Sequence, residues 1–429
     1  MIAQILTSLV FLVCLWLIFS ERLDRTIASI VGATIILGLG RVLHFYNEAK
    51  AIAAIDFNTL GLLLGMMILV AMLEPTGFFQ FLAVWAGRLS RGHPIRLLVI
   101  LGAVTTVSSM FLDNVTTVVL IAPVTILISE ILGVSPLPYL VTEAILSNTG
   151  GVATLVGDPP NVLIASAAGL SFDDFLTHSL PVVVVVWLVA LVLLRYLFRR
   201  ELGVIPLNSE VVVQLDPSES LEDPRTARRM LMVLGGAIGL FFVHNHLQIS
   251  PAFVALIASA VALLWVRPRV NEMLKRIEWS VLIFFVALFV MIGGMEKAGV
   301  LHIIISLLER LDKVPPVLLG VMLIWLVAIT SAVVDNVPIT IALIPVIEGL
   351  KADGFEVFPL WWALAFGAGF GGNGTIIGST ANIVVAALSE RTRTPITPAV
   401  WNRRGLPVML VTCMVASLLY ILAYPFFIR

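Results

Sequence analysis

From Ile2 to Phe19 the chain carries no charged side chain, and apolar stretches of comparable length recur at roughly 26–43, 57–73, 97–112, 115–132, 137–156, 179–198, 230–247, 250–266, 279–295, 316–334, 337–350, 357–377 and 405–428. Such segments are at home where hydrocarbon replaces water, and there every backbone amide needs an internal partner, which a helix supplies. The fold class expected is an all-α integral membrane protein, multi-pass in the bacterial inner membrane. The first stretch lacks a basic leader and a small-residue cleavage site, so it reads as a retained span.

Composition narrows the function. The 429 residues are 59% hydrophobic and only 12% charged, at a mean hydropathy of +1.06, whereas soluble domains carry about a quarter charged residues. A soluble enzyme of this length is excluded. A formal net charge of −1 offers no basic field to a phosphate backbone, so no nucleic-acid partner is expected. The lipid bilayer is the expected surrounding. Two cysteines, Cys14 and Cys413, make neither a disulfide scaffold nor a Cys-rich metal centre. No metal site, no cofactor, no P-loop and no nucleophile–base pair is evident.

Several apolar stretches are broken. Those near 113–132, 147–169, 335–349 and 368–389 place Gly, Pro, Asn, Ser and Thr where a plain helix would place Leu. Irregular backbone at that depth is tolerated where it lines a cavity, so broken helices and re-entrant hairpins are expected. The chain also matches itself. Asp113-Asn114-Val115 returns 222 residues later as Asp335-Asn336-Val337, Ile55-Asp56-Phe57 as Ile277-Glu278-Trp279, and Pro123 as Pro345. At an offset of 221, Gly150-Gly151 answers Gly371-Gly372, Thr154 answers Thr375 and Asn161 answers Asn382. Two copies of one fold, 1–205 and 224–429, are expected, joined by a cytoplasmic linker at 206–223.

Basic residues indicate how the copies sit. Arg22 and Arg25, Arg88, Arg91 and Arg96, Arg199 and Arg200, and Arg267, Arg269, Lys275 and Arg276 mark cytoplasmic connections. The span from Phe57 then runs inward and its mate from Trp279 outward. The segment answering Arg22 and Arg25 is Val243-His244-Asn245-His246, read as an external turn with surface histidines. The two copies are therefore expected to be inverted, the arrangement by which secondary transporters build a midplane site reachable from either face.

Asp113 and Asp335 are the residues on which chemistry is expected to turn. A carboxylate at the bilayer centre costs about 2.5–3.5 kcal/mol even on insertion scales, and two at matched positions need a reason. They either meet a cation or proton at a helix break or cap free backbone amides there. Asn114 and Asn336 beside them either bond a solute or tie the break. A second constellation runs through Ser147-Asn148-Thr149-Gly150-Gly151, Thr154 and Gly157-Asp158-Pro159-Pro160-Asn161, with a partner in Gly371-Gly372-Asn373-Gly374-Thr375 and Gly378-Ser379-Thr380-Ala381-Asn382. Glycine permits close approach, proline ends a helix, and neutral amides and hydroxyls bind a polar solute without burying charge. Close helix packing is the competing use of such small residues. Candidate solute-binding side chains are Asn114, Ser147, Asn148, Thr149, Thr154, Asn161, Asn336, Asn373, Thr375, Ser379, Thr380 and Asn382. Neither hairpin holds an Arg or Lys, which argues against a strongly anionic solute.

The Asp-Asn-Val, Ser-Asn-Thr-Gly-Gly and Gly-Asp-Pro-Pro-Asn runs, echoed in the second half, resemble the ion transporter superfamily over essentially the whole chain. Within it the pattern is most similar to the ArsB-type arsenite and antimonite efflux permeases and their relatives, the silicon efflux transporters, the melanosomal P protein and the NhaD-type sodium/proton antiporters. The resemblance implies export of arsenite or antimonite in exchange for protons, with Asp113 and Asp335 as coupling groups and a possible separate cytoplasmic ATPase subunit as partner. Sodium/proton exchange is the alternative. Dicarboxylate symport is a further one, and it is disfavoured because Ser147-Asn148-Thr149 has Ala368-Gly369-Phe370 as its repeat mate.

Overall fold

The structure is a computed structural model, and it describes residues 2–19, 22–206, 208–300, 314–352 and 354–428. Helices α1 (Ile2–Phe19), α2 (Arg25–Val42), α3 (Glu48–Ala54), α4 (Phe57–Leu73) and α5 (Phe78–Ser90) lead into the first broken region. There α6 (Pro94–Ser109), α7 (Asn114–Leu132), α8 (Leu137–Gly151) and α9 (Pro159–Ala168) precede the long α10 (Phe172–Leu197). The second half repeats the plan with α11 (Pro224–Leu247), α12 (Pro251–Val266), α13 (Trp279–Ala298), α14 (Pro316–Ser331), α15 (Asn336–Ala352), α16 (Phe358–Gly371), α17 (Thr380–Ser389) and α18 (Pro398–Leu422). Among the described residues seven helices are long and apolar enough to cross a membrane. The shorter α6, α8, α9, α14, α16 and α17 are arms that stop part-way.

Each arm stops for a local reason. The α6 segment ends at Ser109, and the carboxylate of Asp113 opens the next helix by accepting the Thr116 N–H at 2.8 Å. Between α8 and α9 the Pro159-Pro160 pair cannot continue a hydrogen-bonded turn, so α9 begins afresh. The interruptions thus lie at 110–113, 152–158, 332–335 and 372–379, which corrects the expectation of breaks within 113–132 and 335–349: 114–132 and 336–352 are continuous helices that carry Pro123 and Pro345 inside them.

Side-chain bonds fix the directions. Thr106 Oγ1 donates to Leu146 O at 3.2 Å and Ser109 Oγ to Ser147 O at 2.8 Å, so α6 and α8 lie side by side with their ends together. A Cβ on Gly102 would meet Leu146 and Thr142, which sets the two helices parallel. Helix α7 must therefore return, making α6–α7 a re-entrant hairpin. At its base Asn208 donates to Ile131 O at 3.0 Å. On the opposite face the end of α9 meets the start of α4, where Ser166 donates to the Asp56 carboxylate, so α8–α9 is an interrupted span. Ser331 Oγ reaches Ala368 O at 2.9 Å in the same way in the second half.

The halves run in opposite senses. Ser135, in the turn at the base of the first hairpin, lies 3.0 Å from Thr394 beyond α17. The His178 ring, just beyond α9, lies 5.5 Å from the Phe358 ring at the base of the second hairpin. Outside the hairpins, α4 packs on α12 and α13 on α2, so each half completes the other's framework. His244 departs from expectation. Helix α11 continues to Leu247, and His244 is buried within it with Nδ1 bonded to Phe241 O at 2.8 Å, because the apolar periodicity of α11 runs on through this segment.

Candidate functional site

Matched clasps hold the two interruptions. Asn161 Nδ2 donates to Gly151 O at 2.9 Å and Thr154 O at 2.8 Å, while Asn382 Nδ2 donates to Gly372 O at 2.8 Å and Thr375 O at 2.9 Å. The Thr154 hydroxyl donates to Met110 O and the Thr375 hydroxyl to Ala332 O. These side chains satisfy carbonyls that the broken helices leave without partners, as buried backbone requires.

The two halves then meet at Asn148. Its Oδ1 accepts from Asn114 Nδ2 and Ser379 Oγ, both at 2.9 Å, and its Nδ2 donates to Asn373 Oδ1 and Asn382 Oδ1, both at 3.0 Å. All four bonding directions of one amide are occupied, three of them by the other half. Asn373 Nδ2 also reaches Thr149 Oγ1 at 3.3 Å. Asn148, Thr149, Asn373 and Asn382 are each at most 1% exposed.

Beside this crossing lies a cavity of about 250 Å³. The N-terminal ends of α7, α9, α15 and α17 all border it, through Asp113, Asp158, Asp335 and Ser379. Each helix start carries roughly +0.5 of an elementary charge, so the carboxylates sit where the backbone favours them. Asp335 Oδ1 accepts the Val337 N–H at 3.3 Å and its Oδ2 accepts from Thr380 Oγ1 at 2.8 Å, with Arg25 Nη1 3.7 Å away. Asp158, 2% exposed, accepts from Asn336 Nδ2 at 2.8 Å. Glu278 faces the same space, with Thr116 Oγ1 donating to it at 3.5 Å. Glu74 and Arg276 pair at 2.7 Å along the wall.

Of the side chains singled out in the sequence, Asp113, Asn114, Asp335, Asn336, Ser379 and Thr380 border the cavity. Ser147, Asn148, Thr149, Thr154, Asn161, Asn373, Thr375 and Asn382 do not. They form the crossing and the clasps, with their polar atoms bonded to the chain itself. Four further cavity residues carry a different signal in the sequence: Asp158 belongs to a helix-ending run, Glu278 is the repeat match of Asp56, and Arg25 and Arg276 mark topology. Asp158 carried a usable signal, since it is an acid whose repeat mate is Ser379. The two arginines also qualify the inference drawn from cation-free hairpins, because the framework helices bring guanidinium groups to the cavity from outside them.

Interrupted helices from two opposed halves, meeting around a small acid-lined cavity, define a multi-pass membrane carrier. The chain belongs to the citrate transporter (CitMHS) family, whose family model matches residues 15–367. It is 37% identical to an uncharacterized transporter of Mycobacterium tuberculosis over 98% of this chain and 99% of that protein. It is 32% identical to the P protein of Homo sapiens over 95% of this chain and 58% of the P protein. The crystal structure of the Alcanivorax borkumensis YdaH transporter, described as having an unusual topology, superposes with a TM-score of 0.59 at 16% identity, covering 94% of this chain and 99% of that one. That last likeness concerns the fold. These matches establish a membrane transporter and its kinship with the P protein, and they do not single out a metalloid exporter within that kinship.

Proposed function

We propose that the protein is a secondary active transporter that exchanges protons for a small polar solute by alternating access between two inverted halves, 1–205 and 224–429. Trivalent metalloid hydroxides, arsenite and antimonite, are the solutes we assign to it. The observation that carries this reading is the meeting of Asp113 and Asp335, matched by the repeat, in one cavity of about 250 Å³. Each is bonded to the first turn of a helix, at Thr116 and Val337. A proton arriving on one of these carboxylates weakens its hold on the N–H group it caps, and a solute oxygen takes the vacated donor. Loading of solute and release of proton are then alternatives at one place, which is what exchange requires. A neutral solute with three hydroxyls suits a cavity of this size, where Asn114, Asn336, Ser379 and Thr380 supply neutral bonding groups. One proton crossing about 150 mV contributes roughly 3.5 kcal/mol, enough for a gradient of a few hundredfold.

A specific observation favours a second reading, sodium/proton exchange. The cavity holds five carboxylates, Glu74, Asp113, Asp158, Glu278 and Asp335, against two guanidinium groups, Arg25 and Arg276. That balance attracts cations. It opposes a free tricarboxylate, so citrate, the solute in the family's description, is the reading the charge distribution supports least.

Purified protein in liposomes loaded with a pH-sensitive dye distinguishes these. Proton movement driven by an arsenite gradient, and absent with sodium or citrate gradients, is the expected result. Movement with sodium alone establishes the second reading, and movement with citrate alone overturns both.

A further inference from the structure

Asp113 and Asp335 occupy equivalent places in the repeat, yet their surroundings differ. Asp335 has two side-chain partners, the Thr380 hydroxyl at 2.8 Å and the Arg25 guanidinium at 3.7 Å. The repeat denies both to Asp113. The mate of Thr380 is Pro159, which has no hydroxyl, and the mate of Arg25 is Leu247, which has no charge. Asp113 keeps the backbone bond from Thr116 and faces the Glu278 carboxylate, while Asp158 lies close enough to act on both aspartates.

Arg25 is itself held in place. It opens α2, whose neighbouring Thr26 hydroxyl donates to Ser280 O at 3.2 Å, and its guanidinium lies over the Phe284 ring at 5.7 Å. Both anchors belong to α13, so the guanidinium is fixed by the framework while Asp335 belongs to the hairpin half. The other cavity cation, Arg276, is bonded to Glu74 at 2.7 Å, which leaves Arg25 to serve Asp335 and the neighbouring Glu278.

We infer that the two matched aspartates divide the work, with Arg25 acting as a positioning residue that holds Asp335 as a standing anion and leaves the exchangeable proton or cation to Asp113. A guanidinium does not give up its proton in this setting, so Asp335 is compensated throughout the cycle. Asp113, facing other acids, changes occupancy. The charged and titratable groups around the two aspartates are Arg25, Glu74, Asp158, Arg276 and Glu278, all of which border the cavity. The inference rests on the proton-coupled reading for its meaning, but its test does not need a transported solute.

The test is infrared difference spectroscopy of the purified full chain between acidic and alkaline buffer, following the C=O band of protonated carboxyl groups. Relative to the parent protein, Asp113→Asn is expected to lose one carboxyl's amplitude, and the double variant Arg25→Gln/Asp335→Asn is expected to lose none. Arg25→Gln alone is expected to gain one, which Arg25→Lys does not. Equal losses in Asp113→Asn and Arg25→Gln/Asp335→Asn, or no gain in Arg25→Gln, overturn the inference. Each variant is first required to elute as the parent does on size exclusion, and if Arg25→Gln does not, Asp113→Asn against Asp335→Asn decides the matter, a loss of amplitude in the first only being expected and equal losses overturning the inference. If the band behaves as expected but liposomes show no proton movement with arsenite or sodium, the proposed function fails and the asymmetry stands.

Discussion

Asn148 and Asn373 join the two halves of the molecule directly, the Nδ2 of the first donating to the Oδ1 of the second at 3.0 Å with both residues at most 1% exposed. Around that bond the same Asn148 amide also holds Asn114, Ser379 and Asn382.

Removing it leaves several buried polar atoms without partners. Asn148→Ala is expected to destabilise the protein by at least about 2 kcal/mol, since each orphaned buried group costs about 1–3 kcal/mol. The check is the thermal midpoint in detergent, and an unchanged midpoint would show that the crossing relaxes around water.

Matched glycines set the contact between parallel arms. A Cβ on Gly371 would lie 2.5 Å from Ala328 Cα and 2.6 Å from its carbonyl oxygen, and one on Gly150 would lie 2.8 Å from Thr106 O. Backbone cannot step aside as a side-chain tip can, so Gly371→Ala is expected to cost about 1–3 kcal/mol or more. At Gly235 nothing lies within 4 Å, and Gly235→Ala is expected to be neutral or stabilising by about 0.5–1 kcal/mol. Expression level and thermal midpoint of the two variants give the comparison.

The cavity and the crossing differ in access to water. Both natural thiols, Cys14 and Cys413, are buried at 4% and 0% exposure, so introduced cysteines report against a quiet background. Thr116→Cys, on the cavity wall, is expected to react with a membrane-impermeant thiol reagent applied to one face, while Ser147→Cys is expected to stay unmodified from both. Mass spectrometry of labelled vesicles reads the result, and modification at 147 would mean that the crossing opens.

Outside the spans, the linker carries a pH-sensitive cap. The Thr226 hydroxyl and backbone, with Arg225 adding its amide and charge, hold the Asp223 carboxyl below its ordinary range. A depressed acid contributes stability above its unfolded value, about 3.9, and loses it as pH falls through the lower folded value. Asp223 is largely exposed, so the effect is local. Amides at the start of α11 are expected to exchange faster with deuterium below about pH 4, after correction for intrinsic rates, and Asp223→Ala is expected to show that faster exchange at neutral pH as well.

Much of the architecture was legible because the repeat carries its own punctuation. Pro94 and Pro316 open matched arms, Asn114 and Asn336 matched return helices, and Pro159 and Thr380 the matched segments beyond each break. The aspartates were legible as intramembrane charges. The division between cavity wall and structural clasp was not, since Asn161 and Asn336 are the same residue type and differ only in which oxygen each can reach. Arg25 was invisible for another reason. Its meeting with Asp335 depends on α2 packing against α13 of the other half, and no local pattern reports a contact across halves.

The position opposite Asn148 in the duplication is Gly369, where an added Cβ would fall 2.0 Å from Val152 Cγ2. A perfectly duplicated carrier would be equally content open to either compartment, because its two forms would be mirror bookends of equal energy. With an amide on one side of the pivot and bare backbone on the other, the two facing forms of the cycle proposed above are not related by symmetry, so nothing obliges them to be equally populated.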